Sequence, residues 1–357
     1  MRYTAVDAFS GAGGLGLGLQ KSGFEMLHSF DNDKICIETL KKNPKYFSHD
    51  SEVLDICQID ASEFLSRIGL NRGELDLLAG GPPCQGFSRQ RTVGSDEDER
   101  NNLVKRYGIL IRELLPKFFL MENVAGLNGK RGRHFLDEFI ENMQQENYTV
   151  SCKLLDSQDF GVPQRRKRMI VVGEQKTQQT DPFYRWPEPT PSPPPTVRDV
   201  IGHLPPPPLN FTDHPDFPGH RADKISSKNR ARLMALKSGQ NRTDLPEYLL
   251  ADCHKSSADK IGHRNVYGRM EWTEIAPTIT ARFDSFTRGK FGHPEQVRTI
   301  SLYEGSLLQT FPSDYVFTGN KVDVARQIGN AVPPLLAEVL GKSIIDAIRR
   351  QKHEMVG

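Results

Sequence analysis

Cysteine is scarce and scattered in this chain: Cys36, Cys57, Cys84, Cys152 and Cys253 are odd in number and none lies in a C-x-x-C pair. That pattern argues against a disulfide framework and against structural zinc, and it fits a reducing compartment. Cys253 and His254, with His263 nearby, lack the second spaced pair a zinc site needs, so no metal is expected. Long apolar runs are missing as well. No stretch approaches the roughly 20 residues that span a bilayer, and Met1-Arg2-Tyr3-Thr4 passes directly into an apolar strand without a signal-peptide pattern. The expectation is a soluble, cytoplasmic protein with no membrane partner. An excess of either charge is also absent. Lys and Arg number 47 against 45 Asp and Glu, so the net charge of +2 identifies no partner and its distribution has to be read instead. At 357 residues the chain exceeds what one core usually supports, which predicts a large domain with a smaller one attached or inserted.

What is present is a rhythm of short apolar runs separated by turns and helical stretches. Residues 3–9 read as a buried strand, followed at once by Ser10-Gly11-Ala12-Gly13-Gly14-Leu15-Gly16. Gly11, Gly13 and Gly16 satisfy G-x-G-x-x-G after a strand and before a helix, a pattern that serves either phosphate and nucleotide binding or simply a tight turn. A second strand ends at Asp31, 20 residues beyond Gly11, where a carboxylate reaches ribose hydroxyls. This points to a nucleoside-type cofactor. Further runs end at Asp55-Ile56, at Cys84 and at Glu122-Asn123-Val124. Between the last two, Leu103, Val104, Tyr107, Leu110, Ile111, Leu114 and Leu115 recur at helical spacing. Strands alternating with helices predict an α/β fold with a doubly wound, mainly parallel sheet, which binds ligands at the carboxyl ends of its strands. Gly11, Asp31, Asp55, Cys84 and Glu122 all fall at such ends. Singly, Asp31 and Asp55 could be caps and Glu122 a solvated carboxylate; together they define one rim.

Cys84 is displayed rather than packed: the apolar run 75–79 ends in Gly80-Gly81, and Pro82-Pro83 then hold the backbone extended just before the thiol. A buried structural cysteine is the competing reading. The following segment 85–102, with glycines, serines, arginines and the acidic run Asp96-Glu97-Asp98-Glu99, suits a loop that closes on a ligand. Residues 129–133 read as a mobile basic loop, 134–143 as a helix, and 148–155 and 169–173 as strands. In Gln164-Arg165-Arg166-Lys167-Arg168, alternation would turn Gln164, Arg166 and Arg168 one way and Arg165 and Lys167 the other.

These residues spell a family. Gly81-Pro82-Pro83-Cys84-Gln85-Gly86-Phe87-Ser88, Glu122-Asn123-Val124 and Gln164-Arg165-Arg166-Lys167-Arg168 resemble the catalytic motifs of the cytosine-C5 DNA methyltransferases of bacterial restriction-modification systems. Phe9-Ser10-Gly11-Ala12-Gly13-Gly14 and Gln327-Ile328-Gly329-Asn330-Ala331-Val332-Pro333-Pro334 are similar to that family's cofactor-side motifs, and the order is the family's own. The resemblance implies S-adenosyl-L-methionine as cofactor, S-adenosyl-L-homocysteine as product, and no metal. It implies Cys84 as nucleophile, Glu122 on the cytosine N3 and N4 edge, and Arg166 with Arg168 positioning the base and Glu122. Cofactor contacts fall to Phe9, Gly11, Gly13, Gly14, Leu15, Asp31, Asn32, Asp55, Ile56, Pro82, Asn330 and Ala331. In the implied chemistry a thiolate adds to C6 so that C5 can attack a sulfonium methyl, and the base must leave the duplex to be reached. Two departures stand out. Asp31 is shorter than the usual Glu, and in Ser301-Leu302-Tyr303-Glu304-Gly305-Ser306-Leu307-Leu308-Gln309, Tyr303 and Leu307 replace two usual arginines.

Prolines crowd the chain after Gly173 and mark an extended exit from the first domain. Basic residues then accumulate from Arg221 to Arg242, including Arg230 and Arg232, the best candidate phosphate contacts; a solvated helix face is the alternative. Gln85, Ser88, Arg89 and Gln164 complete the expected DNA-contacting set. Ala276-Pro277-Thr278-Ile279-Thr280 resembles the motif that organises target recognition. The expected domains are 1–175 completed by 326–357 for catalysis, 176–298 for target recognition, and 299–325 as a connecting hinge. Partners follow from the resemblance: double-stranded DNA, a cognate restriction endonuclease acting separately, and a monomeric chain that is nucleoid-associated in a bacterium. An RNA-directed relative uses the same thiol chemistry. A catalytically dead DNA-binding relative would lose Cys84 or Glu122, and a nicotinamide dehydrogenase leaves Pro-Pro-Cys-Gln without purpose.

Overall fold

The computed structural model describes residues 2–83, 101–130, 132–177, 181–208, 210–251 and 266–354, with the side chains of Asn101 and Asn102 left aside. The chain divides into two compact units. The first comprises Met1–Phe160, Lys167–Thr190 and Val332–Gly357, and the second Gly161–Arg166 and Pro191–Ala331.

In the first unit, strands β1 (Tyr3–Ala8), β2 (Phe24–Asp31), β3 (Asp50–Val53), β4 (Leu77–Gly80), β5 (Phe118–Val124), β6 (Tyr148–Asp156) and β7 (Lys167–Gln175) form one sheet in the order β3-β2-β1-β4-β5-β7-β6. The first five pair in parallel, and β7 runs antiparallel to both β5 and β6. Between the parallel strands run α1 (Gly14–Ser22), α2 (Lys34–Lys42), α3 (Ala61–Ile68) and α4 (Asn101–Leu114), with α5 (Arg133–Gln145) leading into β6. The doubly wound reading is therefore correct. Strand β4 is buried throughout, as a central strand covered on both faces must be. The first departure from expectation is at β3, which stops at Val53 because the Asp55 side chain accepts the Cys57 amide and caps the 3-10 turn Ile56–Gln58.

Core packing fixes the helices on this sheet. Tyr107 of α4 is fully buried and its hydroxyl hydrogen-bonds the carbonyl oxygens of Leu78 and Leu120, tying the helix to β4 and β5.

The second unit carries α6 (Val197–Ile201), α7 (Ser227–Ala235), α8 (Leu302–Leu308) and α9 (Lys321–Asn330). Among the described residues it has no strand, only isolated bridges such as Arg269 with Gly292. One cluster buries Met270, Ile279, Phe283, Phe291, Leu308 and Ile328, and another gathers Leu233, Leu245, Leu249, Tyr267 and Phe286. With so little regular backbone, polar side chains hold the loops. Arg298 places its two terminal nitrogens 2.7 Å from the two oxygens of Glu304, which also accepts the Ser301 amide. Burial raises the Glu304 carboxyl, but the Arg298 guanidinium outweighs it and holds the group at about 2. His293, 3.9 Å from Glu304, is pushed down to about 3 by burial and then by the Arg298 charge.

Finally, α10 (Pro334–Glu354) belongs to the first unit and lies along α1. Gly18 is what allows this approach, since a Cβ there would overlap the Pro334 carbonyl and come within 2.7 Å of the Glu338 nitrogen.

Candidate active site

Parallel pairing brings the carboxyl ends of β1, β2, β3, β4 and β5 to one edge of the sheet, so Gly11, Asp31, Asp55, Gly81 and Glu122 follow or end neighbouring strands. On the β1 side the chain leaves the strand through Phe9, whose φ of 56° is in the left-handed region. For a bulky residue that conformation costs about 1–3 kcal/mol and persists only where surrounding structure imposes it. Nothing in the sequence signalled it. Phe9 is half-buried, with its ring 6.3 Å from that of Tyr107. The Gly11 amide then donates to Asp31 Oδ2 at 2.9 Å, and Asp31 Oδ1 accepts the Asp33 amide. Asp31 thus fastens the glycine-rich turn to the end of β2. Gly13 (φ 77°) precedes α1, while Gly14 and Leu15 are buried in its first turn. Asn32 is exposed beyond Asp31, Asp55 is the cap already described, and Ile56 is buried.

Beneath this turn lies Asp7, fully buried, which accepts the Gly16 amide at 2.9 Å through Oδ2. Burial raises its carboxyl to about 8 against the opposing Gly16 hydrogen bond, and the Asp31 charge raises it further. At neutral pH it is a neutral acid. This residue was missed in the sequence because it reads as one polar position in an apolar strand.

On the β4–β5 side, Glu122 is 8% exposed, and its Oε1 lies 2.7 Å from Arg168 Nε. The neighbouring Asn123 donates from Nδ2 to the Pro82 carbonyl at 3.0 Å. A Cβ on Gly81 would stand only 3.3 Å from Glu122 Oε2, so a glycine there keeps the carboxylate next to the chain that leads to Cys84. Glu122, Arg168 and buried Pro82 are therefore assembled in one place. Cys84, Gln85, Ser88 and Arg89 lie outside the described residues.

The alternation read over 164–168 is seen in burial: Arg165 and Lys167 are exposed, Gln164 and Arg166 buried, Arg168 half-buried. The roles differ from those expected. Arg166 is fully buried in the second unit and donates to the carbonyls of Ile279, Gly329 and Ala331 at 2.9, 3.0 and 2.9 Å. It organises backbone, including the segment that carries exposed Asn330 and half-buried Ala331. Gln164, read as a DNA contact, is likewise buried and bonds Gln309 and the Ile279 amide. Arg232, read as a phosphate contact, is 5% exposed. Its guanidinium donates to the Leu249 carbonyl and Asn229 and lies 4.2 Å from the Tyr267 ring centroid, so its charge serves internal packing. Arg230, two residues earlier, is exposed.

Among the described residues no group of His, Cys, Asp and Glu is arranged to hold a metal ion, and no helix is long and apolar enough to cross a membrane.

Comparison with known proteins extends this picture over the whole chain. It is 36% identical to the Type II methylase M.HgiDII of Herpetosiphon aurantiacus across 95% of this chain and 94% of that one. It is 32% identical to the Type II methyltransferase M.XorII of Xanthomonas oryzae pv. oryzae, across 99% and 87%. Among solved structures, an E. coli prophage-encoded protein described as a DNA modification methyltransferase superposes with a TM-score of 0.73 at 24% identity, covering 97% of this chain and 99% of that one. The model of C-5 cytosine-specific DNA methylases matches residues 3–346. With a glycine turn fastened by Asp31 and an Arg168–Glu122 pair beside Gly81, the chain belongs to the C-5 cytosine-specific DNA methylases, which are S-adenosylmethionine-dependent DNA methyltransferases.

Proposed function

We propose that this chain transfers the methyl group of S-adenosylmethionine to C5 of a cytosine flipped out of duplex DNA, through a covalent bond between Cys84 Sγ and C6. The observation that carries the reading is the Arg168–Glu122 pair held against Gly81, three residues before the cysteine. Thiolate addition at C6 pushes electrons toward N3, and Glu122 supplies a proton there so that negative charge does not accumulate on the ring. C5 then takes the methyl group, solvent water removes the C5 proton, and the Sγ–C6 bond breaks to expel the thiolate and restore aromaticity while N3 returns its proton to Glu122. Arg168 keeps the Glu122 carboxyl turned toward the base edge.

The residues at the β1, β2 and β3 ends suit a nucleoside cofactor. Phe9, Gly11, Gly13, Gly14, Leu15, Asp31, Asn32, Asp55, Ile56 and Pro82 would hold it, with Asn330 and Ala331 supplied by the α9–α10 connection. Asp31 has both oxygens engaged by backbone amides at the carboxyl end of β2, the position from which a carboxylate reaches ribose hydroxyls. When bound, the cofactor supplies an electrophilic methyl group. Residues 176–298 are assigned to target recognition and 299–325 to the connection. The relatives' Type II names support a methylase that works alongside a separate endonuclease; a monomeric, cytoplasmic chain is part of the same proposal.

The test is incubation with labelled S-adenosylmethionine and unmethylated genomic DNA, followed by base-resolution mapping of 5-methylcytosine. Cys84→Ala should abolish transfer, and Glu122→Gln should retain DNA binding while slowing it. Equal turnover by Cys84→Ala and the parent would sink the mechanism, and label appearing in tRNA but not DNA would move the substrate to RNA.

A further inference from the structure

Asp31 anchors one end of the glycine-rich turn through the Gly11 amide. The other end rests on a side chain from a different part of the chain. Phe47, 5% exposed, lies directly under Gly13: a Cβ at that position would overlap the ring, with Cε1 at 3.0 Å and Cε2 at 3.1 Å. At Gly16 a Cβ would meet Asp7 Oδ2 at 2.9 Å and Phe47 Cε1 at 3.6 Å. Gly11 is different, with nothing within 4 Å of its Cβ position.

The ring is held from behind. Asn43 ends α2, and its carbonyl accepts the amides of both Tyr46 and Phe47, so the connection to β3 folds into a tight turn that aims Phe47 at the glycines. His49 meets the Phe47 ring edge-on at 5.7 Å, and its Nε2 is 2.8 Å from Ser29 Oγ on β2, two residues before Asp31. One chain of contacts therefore runs from β2 through His49 and Phe47 to Gly13.

We propose that Phe47 is a positioning residue for the cofactor, setting the height and curvature of the Gly13–Gly16 turn from below; this rests on the cofactor reading given above. Truncating the ring opens space under the turn, so the loop loses its bound shape before the cofactor arrives and must be reordered on binding. The loss falls on cofactor affinity, because Phe47 is not among the groups proposed to touch the cytosine.

The experiment measures S-adenosylhomocysteine binding by calorimetry, and steady-state KM for S-adenosylmethionine and kcat, on the full chain. Phe47→Ala should weaken binding and raise KM about tenfold, with kcat at saturating cofactor within about threefold of the parent. Phe47→Met, which refills most of the space without adding a group at Cζ, should recover much of the parental affinity. A double-mutant cycle adds a geometric readout. Gly13→Ala should be less damaging to binding in the Phe47→Ala background than in the parent, whereas Gly11→Ala should combine additively with Phe47→Ala. If Phe47→Ala does not fold, Phe47→Leu carries the same comparison. Parental binding in Phe47→Ala or Phe47→Leu, or equal coupling at Gly11 and Gly13, would overturn the inference alone. No binding by the parent itself would overturn the cofactor reading and the inference with it.

Discussion

Arg298 grips Glu304 with two parallel hydrogen bonds inside a part of the chain that has almost no regular backbone. Both side chains are nearly inaccessible, at 6% and 1%. Removing one partner strands a buried charge, so Arg298→Met should cost about 3–5 kcal/mol. Replacing both by apolar residues of similar volume should cost much less. Urea titration of the two variants checks the ordering; equal losses would show that the pair's charges are not what matters.

Acid should loosen the same region before neutral pH does. His293 is held neutral with its folded pKa at about 3, below the usual 6.5, so below pH 6.5 the unfolded chain binds the extra proton and stability falls as pH drops toward 3. The contribution from this group is on the order of 2 kcal/mol between pH 7 and 5. Glu304 adds stability that is complete above its ordinary 4.5 and disappears as pH falls toward 2. His49, lowered to about 4, acts in the same sense as His293. Denaturation curves at pH 7 and 5 test this, and His293→Gln should shrink the difference, leaving the part that His49 contributes.

Asp7 produces the opposite trend. Its folded pKa of about 8 lies above the usual 3.8, so the stability it permits is full below pH 3.8 and declines as pH rises toward 8. Asp7→Asn keeps an acceptor for the Gly16 amide without the ionisable proton. It should raise the melting temperature at pH 7 and 8 but leave it near the parent's at pH 4. Parallel curves across that range would refute the assignment of a neutral acid.

In the proposed reaction Arg168 acts through Glu122, with which it is paired at 2.7 Å. Arg168→Ala should lower the single-turnover rate about 100-fold while changing DNA affinity little, and Arg168→Lys should recover only part because Nζ cannot reproduce the planar donor geometry. Single-turnover kinetics with a gel-shift control separates the two effects. An Arg168→Ala enzyme with parental rate and weakened DNA binding would make it a DNA contact instead.

Much of this arrangement was legible in the sequence, and what was missed shares one cause. Apolar runs ending in Gly11, Asp31, Gly81 and Glu122 gave the parallel sheet and its edge, because strand period and turn chemistry are local properties. In the sequence, strand alternation turns Gln164 and Arg166 toward the ligand rim, and the local run of basic residues makes Arg232 a phosphate contact. The partners of Arg166 and Gln164 lie far along the chain: the three carbonyls on Arg166 are 113, 163 and 165 residues away and Gln309 is 145 residues from Gln164. No local pattern reports such a bond. Tyr303, which stands where the family usually has an arginine, is explained only by packing: it is buried with its ring 5.4 Å from Phe217 and 5.9 Å from His220. Nothing in the structure explains Leu307 in place of the second arginine.

The close approach of Gly18 to Pro334 also sets a timetable. Helix α1 leaves the ribosome more than 300 residues ahead of the helix it packs against. At ~5–20 residues per second, the nascent chain waits tens of seconds before that face is covered. The α1 face is thus finished only together with α10, and the glycine-rich turn leading into α1 gains its full support only once that helix has been made.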